Sequence, residues 1–280
     1  MKVLPFNIPK PDSSALVYQV DKVRAFYDKL HQHEEIQISI IINGEGELMV
    51  GDSVHRYGMG DIYVIGSNIP HLFKSDLGIE GDSHMLTLFF SRDSFGRDFF
   101  ELDELKDLRR LLNGLGGGIR LLTQKDIIKN RFEQLKKETK LGRFILFLDI
   151  MKLITESEKE VLTTFIHSKK YSEDQGARMS AVMQLALNEF HREISLEEVA
   201  SVANMTTNAF CRFFKLRTNK TFVQLLTEIR LEHACKLLLK KRDLSIAEIA
   251  DLSGFNNISN FNRKFRSYKK MKPSDYRKRF

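Results

Sequence analysis

Ser245 to Arg266 reads SIAEIADLSGFNNISNFNRKFR, and fifty residues upstream Ser195 to Lys215 reads SLEEVASVANMTTNAFCRFFK. At an offset of 50, Ser195 meets Ser245, Glu198 meets Glu248, Val199 meets Ile249 and Ala200 meets Ala250. Beyond the middle the offset becomes 51, pairing Phe210 with Phe261, Arg212 with Arg263 and Phe214 with Phe265. Both stretches open with S-x-x-E, a capping box in which the serine takes an early helix N–H and the glutamate reaches back to the serine N–H. A short helix with a small inward Ala is expected, then a turn at Asn204-Met205 or Gly254-Phe255, then a second helix with apolar residues on one side. That is a helix-turn-helix, twice. An apolar-periodic helix from Thr221 to about Lys241 joins the two units.

Charge is concentrated in the same part of the chain. Residues 177–280 hold 20 Lys and Arg against 10 Asp and Glu, whereas the first 176 residues hold 24 against 27. The last 22 residues carry nine basic side chains and one acid, Asp275. A one-sided basic domain suits a polyanion, and no amphipathic anchor accompanies it, so nucleic acid is favoured over a membrane surface.

The apolar positions of each second helix define which side is left for DNA. Phe210, Phe213 and Phe214 face inward on the first, leaving Asn208, Ala209, Arg212 and Lys215 outside. On the second, Phe261 and Phe265 face inward, leaving Asn257, Ile258, Ser259, Asn262, Arg263 and Arg266. Arg can take guanine O6 and N7 together, and Asn can pair with adenine N6 and N7. Lys264, Lys269, Lys270 and Arg277-Lys278-Arg279 suit phosphates or solubility. Two such helices on one connecting helix would enter successive major-groove segments about one helical turn apart, and their unlike faces would read two unlike half-sites.

Arg230-Leu231-x-x-Ala234-x-x-Leu237-Leu238, Ser245-Ile246-Ala247-Glu248-Ile249-Ala250, Gly254-Phe255, Phe261-x-Arg263-x-Phe265-Arg266 and Pro273-Ser274-x-Tyr276-Arg277 together resemble the AraC/XylS transcription-regulator signature. The resemblance covers about 100 residues at the C-terminus. It implies base or phosphate contacts at Arg212 and Arg263. The sequence departs from the pattern at Asn219 and Lys270, where the family has glycine, and at Asn260, where it has tyrosine. Asn tolerates the positive φ of such cap positions and Lys less so, so altered local turns are expected.

Towards the N-terminus the texture is strand-like from Val17 to about Phe90. IQISIII, ELMV, DIYVI and MLTLFF are short runs rich in Ile, Val and Phe, punctuated by glycines. They predict a small β-sandwich or barrel. Within them stand His31, His33, Gln37, Gly60-Asp61 and Pro70-His71, which are similar to the motifs of the cupin barrel and of the sensor domains that AraC-type regulators carry. In metal-binding cupins the first motif supplies two histidines and a glutamate four residues later, and the second motif a third histidine. Alternate strand residues share a face, so His31 and His33 would converge with His71. Three imidazoles suit zinc, iron, nickel or copper, but Gln37 is a weaker, neutral fourth donor. A metal-free pocket using these groups for a small ligand is the expectation; a metal site and purely structural histidines are the alternatives. No cofactor or metal is assigned.

The expected fold is multidomain: an N-terminal all-β cupin-like barrel (1–95) with a helical extension (96–168), a linker (169–178) and a C-terminal all-α domain with two helix-turn-helix motifs (179–280). Helical stretches are expected at 124–139 and 143–168. The second holds Phe144, Ile145, Phe147, Leu148, Met151 and Ile154, too many apolar groups for one side. It is the candidate homodimer contact, packing on the barrel being the alternative. Cys211 and Cys235 are too few for a disulfide framework, no apolar run reaches ~20 residues, and no signal-peptide core is visible, so a cytoplasmic protein without a membrane span is expected.

These observations point to a sequence-specific regulator of transcription, not an enzyme, with double-stranded promoter DNA, a small-molecule effector and RNA polymerase as partners. A metal-dependent cupin enzyme and a constitutive DNA-binding protein without an effector are the rival functions. The doubled helix-turn-helix argues against the first, and the slightly acidic 176-residue N-terminal segment against the second.

Overall fold

In the computed structural model, residues 15–76, 81–163 and 173–279 are described. They form two compact units that divide at Glu173 and Asp174.

The N-terminal unit is built on antiparallel strands β1 (Val17–Val23), β2 (Ile36–Asn43), β3 (Gly46–Val50), β4 (Ser53–Tyr57), β5 (Ile62–Ile65), β6 (His71–Ser75), β7 (Ser83–Phe90), β8 (Ile119–Leu121) and β9 (Lys159–Val161). A six-stranded sheet of order β1-β7-β2-β5-β8-β9 faces a three-stranded sheet of order β4-β3-β6. The run IQISIII lies on β2 in the middle of the larger sheet, where Ile36 to Ile41 are all buried. Alternation explains why both faces are covered. Ile36, Ile38 and Ile40 meet the helices outside the sheet, while Ile41 joins Leu48, Tyr63 and Phe73 between the sheets.

Helices α1 (Lys106–Asn113), α2 (Lys125–Leu135) and α3 (Lys140–Glu156) cover the outer face of the large sheet. Three expectations change here. The third helix stops at Glu156 and the chain returns as β9, so 143–168 is not one helix. Strands β8 and β9 come from the segment expected to be purely helical, so the sheet does not end at residue 95. Phe147, Met151 and Ile154 of α3 are fully buried against Phe90, Phe132 and their neighbours, which takes them out of any dimer contact. Ile145 remains 58% exposed, and Phe144 and Leu148 are half-buried.

The C-terminal unit consists of α4 (Glu173–Glu189), α5 (Leu196–Val202), α6 (Thr207–Thr218), α7 (Phe222–Lys240), α8 (Ile246–Leu252), α9 (Ile258–Lys269) and α10 (Pro273–Arg279). The expected linker at 169–178 is helical from Glu173 onward, and its first part lies outside the described residues. Helix α7 runs between the two helix-turn-helix units. Its buried side, with Leu231, Ala234, Cys235 and Leu238, packs on Ile249, Ala250, Phe255, Phe261 and Phe265 of the second unit. Phe210, Phe214 and Phe222 stack in the first, with ring centroids 5.5 to 6.1 Å apart.

The repeat seen in the sequence recurs bond for bond at the turns. Met205 N–H donates to the Ala200 carbonyl and Phe255 N–H to the Ala250 carbonyl, both at 2.9 Å. The residue before each donor is left-handed: Asn204 at φ 53° and Gly254 at φ 78°. At the second turn only glycine fits. A Cβ on Gly254 would stand 2.5 Å from the Phe190 carbonyl oxygen and 2.8 Å from Arg230 Nε.

Candidate functional site

Helices α6 and α9 start at well-made caps. Thr206 Oγ1 accepts from Ala209 N–H, and Asn257 Oδ1 accepts from Asn260 N–H at 3.0 Å. Both end in a left-handed residue, Asn219 at φ 54° and Lys270 at φ 59°. The expected alteration of these turns is therefore absent; both keep the αL cap, with Lys270 carrying the strain of a Cβ there. Asn208, Arg212 and Lys215 are exposed on α6, and Ala209 is half-buried. On the second unit Asn257, Ile258, Ser259, Arg263 and Arg266 are exposed, whereas Asn262 is half-buried. Phe213, expected in the core, is also only half-buried.

Two contacts refine this surface. Arg263 Nη2 donates to Asn260 Oδ1 at 2.8 Å, so Asn260 aims the guanidinium along α9. An amide and an arginine at i, i+3 on one helix face would have suggested this pair. Behind the surface, Arg230 of α7 donates through Nε to the Phe190 carbonyl at 2.7 Å and through Nη2 to the Arg192 carbonyl at 2.8 Å. It ties the end of the α4 segment to the turn at Gly254 and closes off two backbone oxygens beyond the last turn of α4.

The capping boxes are unequal. Ser245 and Glu248 make both halves: Glu248 N–H donates to Ser245 Oγ at 3.2 Å, and Ser245 N–H donates to Glu248 Oε2 at 2.8 Å. Ser195 makes only its own half, because the Glu198 carboxylate is taken by Arg192 at 2.5 and 3.0 Å. A full box not expected from the repeat opens α7, where Thr221 and Gln224 pair reciprocally.

In the barrel the four residues singled out do come together. His31, His33, Gln37 and His71 are all buried, and one ring nitrogen of each histidine lies within 4.8 Å of the others. They do not converge through a shared strand. His31 sits in an isolated backbone bridge with His71, His33 lies outside the strands, and only Gln37 is on β2.

Each Nδ1 faces a backbone carbonyl: His31 that of Lys29 at 2.8 Å, His33 that of Glu35 at 2.9 Å, His71 that of Ile69 at 2.8 Å. A carbonyl can only accept, so His31 donates through Nδ1; at His33 and His71 the Gln37 side-chain oxygen, equally only an acceptor, also faces Nε2, and a neutral ring can serve just one of its two acceptors. Burial keeps the rings neutral, holding His31 down to about 4 and His33 and His71 below their ordinary range. The Gln37 side-chain oxygen lies 3.1 Å from His33 Nε2 and 3.0 Å from His71 Nε2. Its amide donates to Ser39 Oγ at 2.8 Å, which contacts Thr87 Oγ1 at 3.0 Å. Three imidazoles with ring nitrogens within 4.8 Å of one another beside a carbonyl oxygen, each ring held from behind by a backbone carbonyl, fit a divalent transition ion.

A cavity of about 290 Å³ adjoins this cluster and is lined by His31, Gln37 and Thr87 on its polar side. Phe26, Phe73, Met85 and Phe89 give it apolar walls. Gln19 and Asp21 line it from β1, with Gln19 Nε2 donating to both carboxylate oxygens of Asp21 at 2.8 and 2.9 Å. Sequence reasoning missed Asp21, because a lone acid on an exposed-looking strand carries no motif.

Residues 18–85 match the cupin domain family and residues 199–279 a helix-turn-helix domain family. The probable transcriptional regulator LumQ of Photobacterium leiognathi is 26% identical over 269 residues, 93% of this chain and 94% of its own. An uncharacterized HTH-type transcriptional regulator of Bacillus subtilis (strain 168), YdeC, is 23% identical, covering 90% of this chain and 87% of its own. The HTH-type transcriptional activator RhaR of Mannheimia succiniciproducens is 25% identical over the same two shares, 90% and 87%. The two domain matches fall on the barrel and on the doubled unit around α7, and the relatedness runs through both. This chain is an AraC-type transcription regulator with a cupin domain.

Proposed function

We propose that the chain reads promoter DNA through α6 and α9 as a two-part site and adjusts that binding when a small molecule occupies the barrel. The supporting observation is that two recognition helices with unlike exposed faces are mounted on one helix by matching turns. Asn208, Arg212 and Lys215 meet one half-site, and Asn257, Ile258, Ser259, Arg263 and Arg266 the other; Ala209 and Asn262 contribute at the edges. RNA polymerase is met at the promoter, the active form is a homodimer, and the protein works by binding rather than catalysis. The domains we assign are the barrel, its helical extension and the double helix-turn-helix unit.

Selection of random duplex DNA by the full chain, sequenced at two salt concentrations, tests this. A two-part motif with half-sites about one helical turn apart is expected. Salt-sensitive binding without any enriched motif would replace the reading with non-specific DNA binding.

The three clustered imidazoles favour one addition. His31, His33 and His71 would hold a divalent transition ion with Gln37 as fourth donor, and the ion would supply a Lewis-acid site for a ligand atom entering the cavity. Elemental analysis checks it: the chain should take up about one equivalent of such an ion, and His71→Ala should lose it. A chain that binds none when dialysed against zinc or nickel rules the ion out.

A further inference from the structure

We infer that the barrel cavity takes a small organic cation, a protonated amine with an apolar or aromatic body, whose charge is met by Asp21. This rests on the cavity being the effector site proposed above, and adds the chemistry of the effector.

The lining is lopsided in charge. Asp21 is its one acidic side chain, and among the described residues no Lys or Arg lines it. Asp21 is half-buried, and burial raises its pKa. Among the described residues it forms no ion pair; its partner is the neutral amide of Gln19. His84, whose charge would offset it, is held below its ordinary pKa by burial and by Lys22. A carboxylate drawn partly out of water without a counter-charge is costly, and a cation arriving in the cavity removes that cost.

The rest of the lining selects the body of the ligand. Phe26, Phe73 and Phe89 present ring surface, which attracts cations as well as apolar groups. Thr87 and Gln37 add polar groups to the same lining. At about 290 Å³ the cavity is near the lower end, ~300 Å³, of ordinary ligand pockets, so a metabolite-sized amine fits and a polymer does not. An anionic ligand would bring a second negative charge beside Asp21.

The test uses three probes of similar shape on the full chain, kept in EDTA so that no metal can bind an amine: phenethylamine, 2-phenylethanol and 3-phenylpropanoate. Calorimetric titration should show phenethylamine binding at least about tenfold more tightly than the alcohol, the size of one charge-assisted contact, and the carboxylate more weakly than either. Asp21→Asn should bring the amine down to the level of the alcohol while leaving the alcohol unchanged, which also shows the cavity intact. The ranking in the unaltered chain decides the matter even if that variant does not fold. A carboxylate that binds as well as the amine, an amine indifferent to Asp21→Asn, or no binding by any probe at about 10 mM overturns the inference. Amine binding that leaves operator affinity untouched keeps the cavity chemistry and removes the effector role. A carboxylate that changes operator affinity does the reverse.

Discussion

Arg263 Nη2 donates to Asn260 Oδ1 one turn back on α9, which gives its guanidinium a preferred direction. Arg263→Ala should cost ~1–3 kcal/mol of operator binding and relax preference at one base position, measured by competition between duplexes differing at single positions. Equal weakening on every sequence would make it a phosphate contact. Asn260→Ala should act through Arg263 alone: nearly silent in an Arg263→Ala background, measurable without it. At the other end of the helix, Lys270 sits at φ 59° with a Cβ. Lys270→Gly should stabilise the chain by about 0.5–1 kcal/mol in urea unfolding, and a loss of stability would mean the αL cap is not strained. Much at this scale could be read from residue type. Phe210, Phe214, Phe261 and Phe265 are buried as their spacing required. What could not be read is competition for a partner. Glu198 stands at the correct position for a box and is drawn off by Arg192, which no three-residue spacing reveals.

Helix α3 shows where periodicity runs out. Its sequence is apolar on nearly every side, which says that it is covered without saying by what. The structure divides it: Phe147, Ile150, Met151 and Ile154 against the sheet, Leu141 and Ile145 outside, 68% and 58% exposed. Phe147→Ala should cost ~3–5 kcal/mol of unfolding free energy. Ile145→Ser should leave monomer stability within about 0.5 kcal/mol. If α3 carries the homodimer contact, the same change raises the dissociation constant in light scattering; an unchanged constant moves the contact elsewhere. Strands β8 and β9 were illegible for another reason. Three residues each are too few for an alternating pattern, and their place is fixed by pairing with β5 and with each other. Helix starts were the most legible elements, and their worth differs. Ser245→Ala, which breaks a complete box, should cost about 1 kcal/mol, and Ser195→Ala, which breaks half of one, less.

For the whole molecule, the excess of positive charge in the C-terminal unit makes operator binding salt-dependent. Log K should fall with log salt by about 0.9 per phosphate neutralised, and Arg266→Ala should lower that slope by about 1 if it meets a phosphate. An unchanged slope would place Arg266 off the backbone. The division into a β-rich and a basic helical part was plain from texture and charge, and the meeting of His31, His33 and His71 from motif. Asp21 and the cavity beside it were not, since a pocket is made by residues far apart in the chain. The turns after α5 and α8 are closed by the same bond at the same length, while the exposed faces of α6 and α9 share little beyond an arginine. Spacing is thereby separated from content, as the frame of a lock is from its pins. Exchanging the outward residues of α6 for those of α9 would then give a protein that recognises one half-word written twice, with its pitch unaltered.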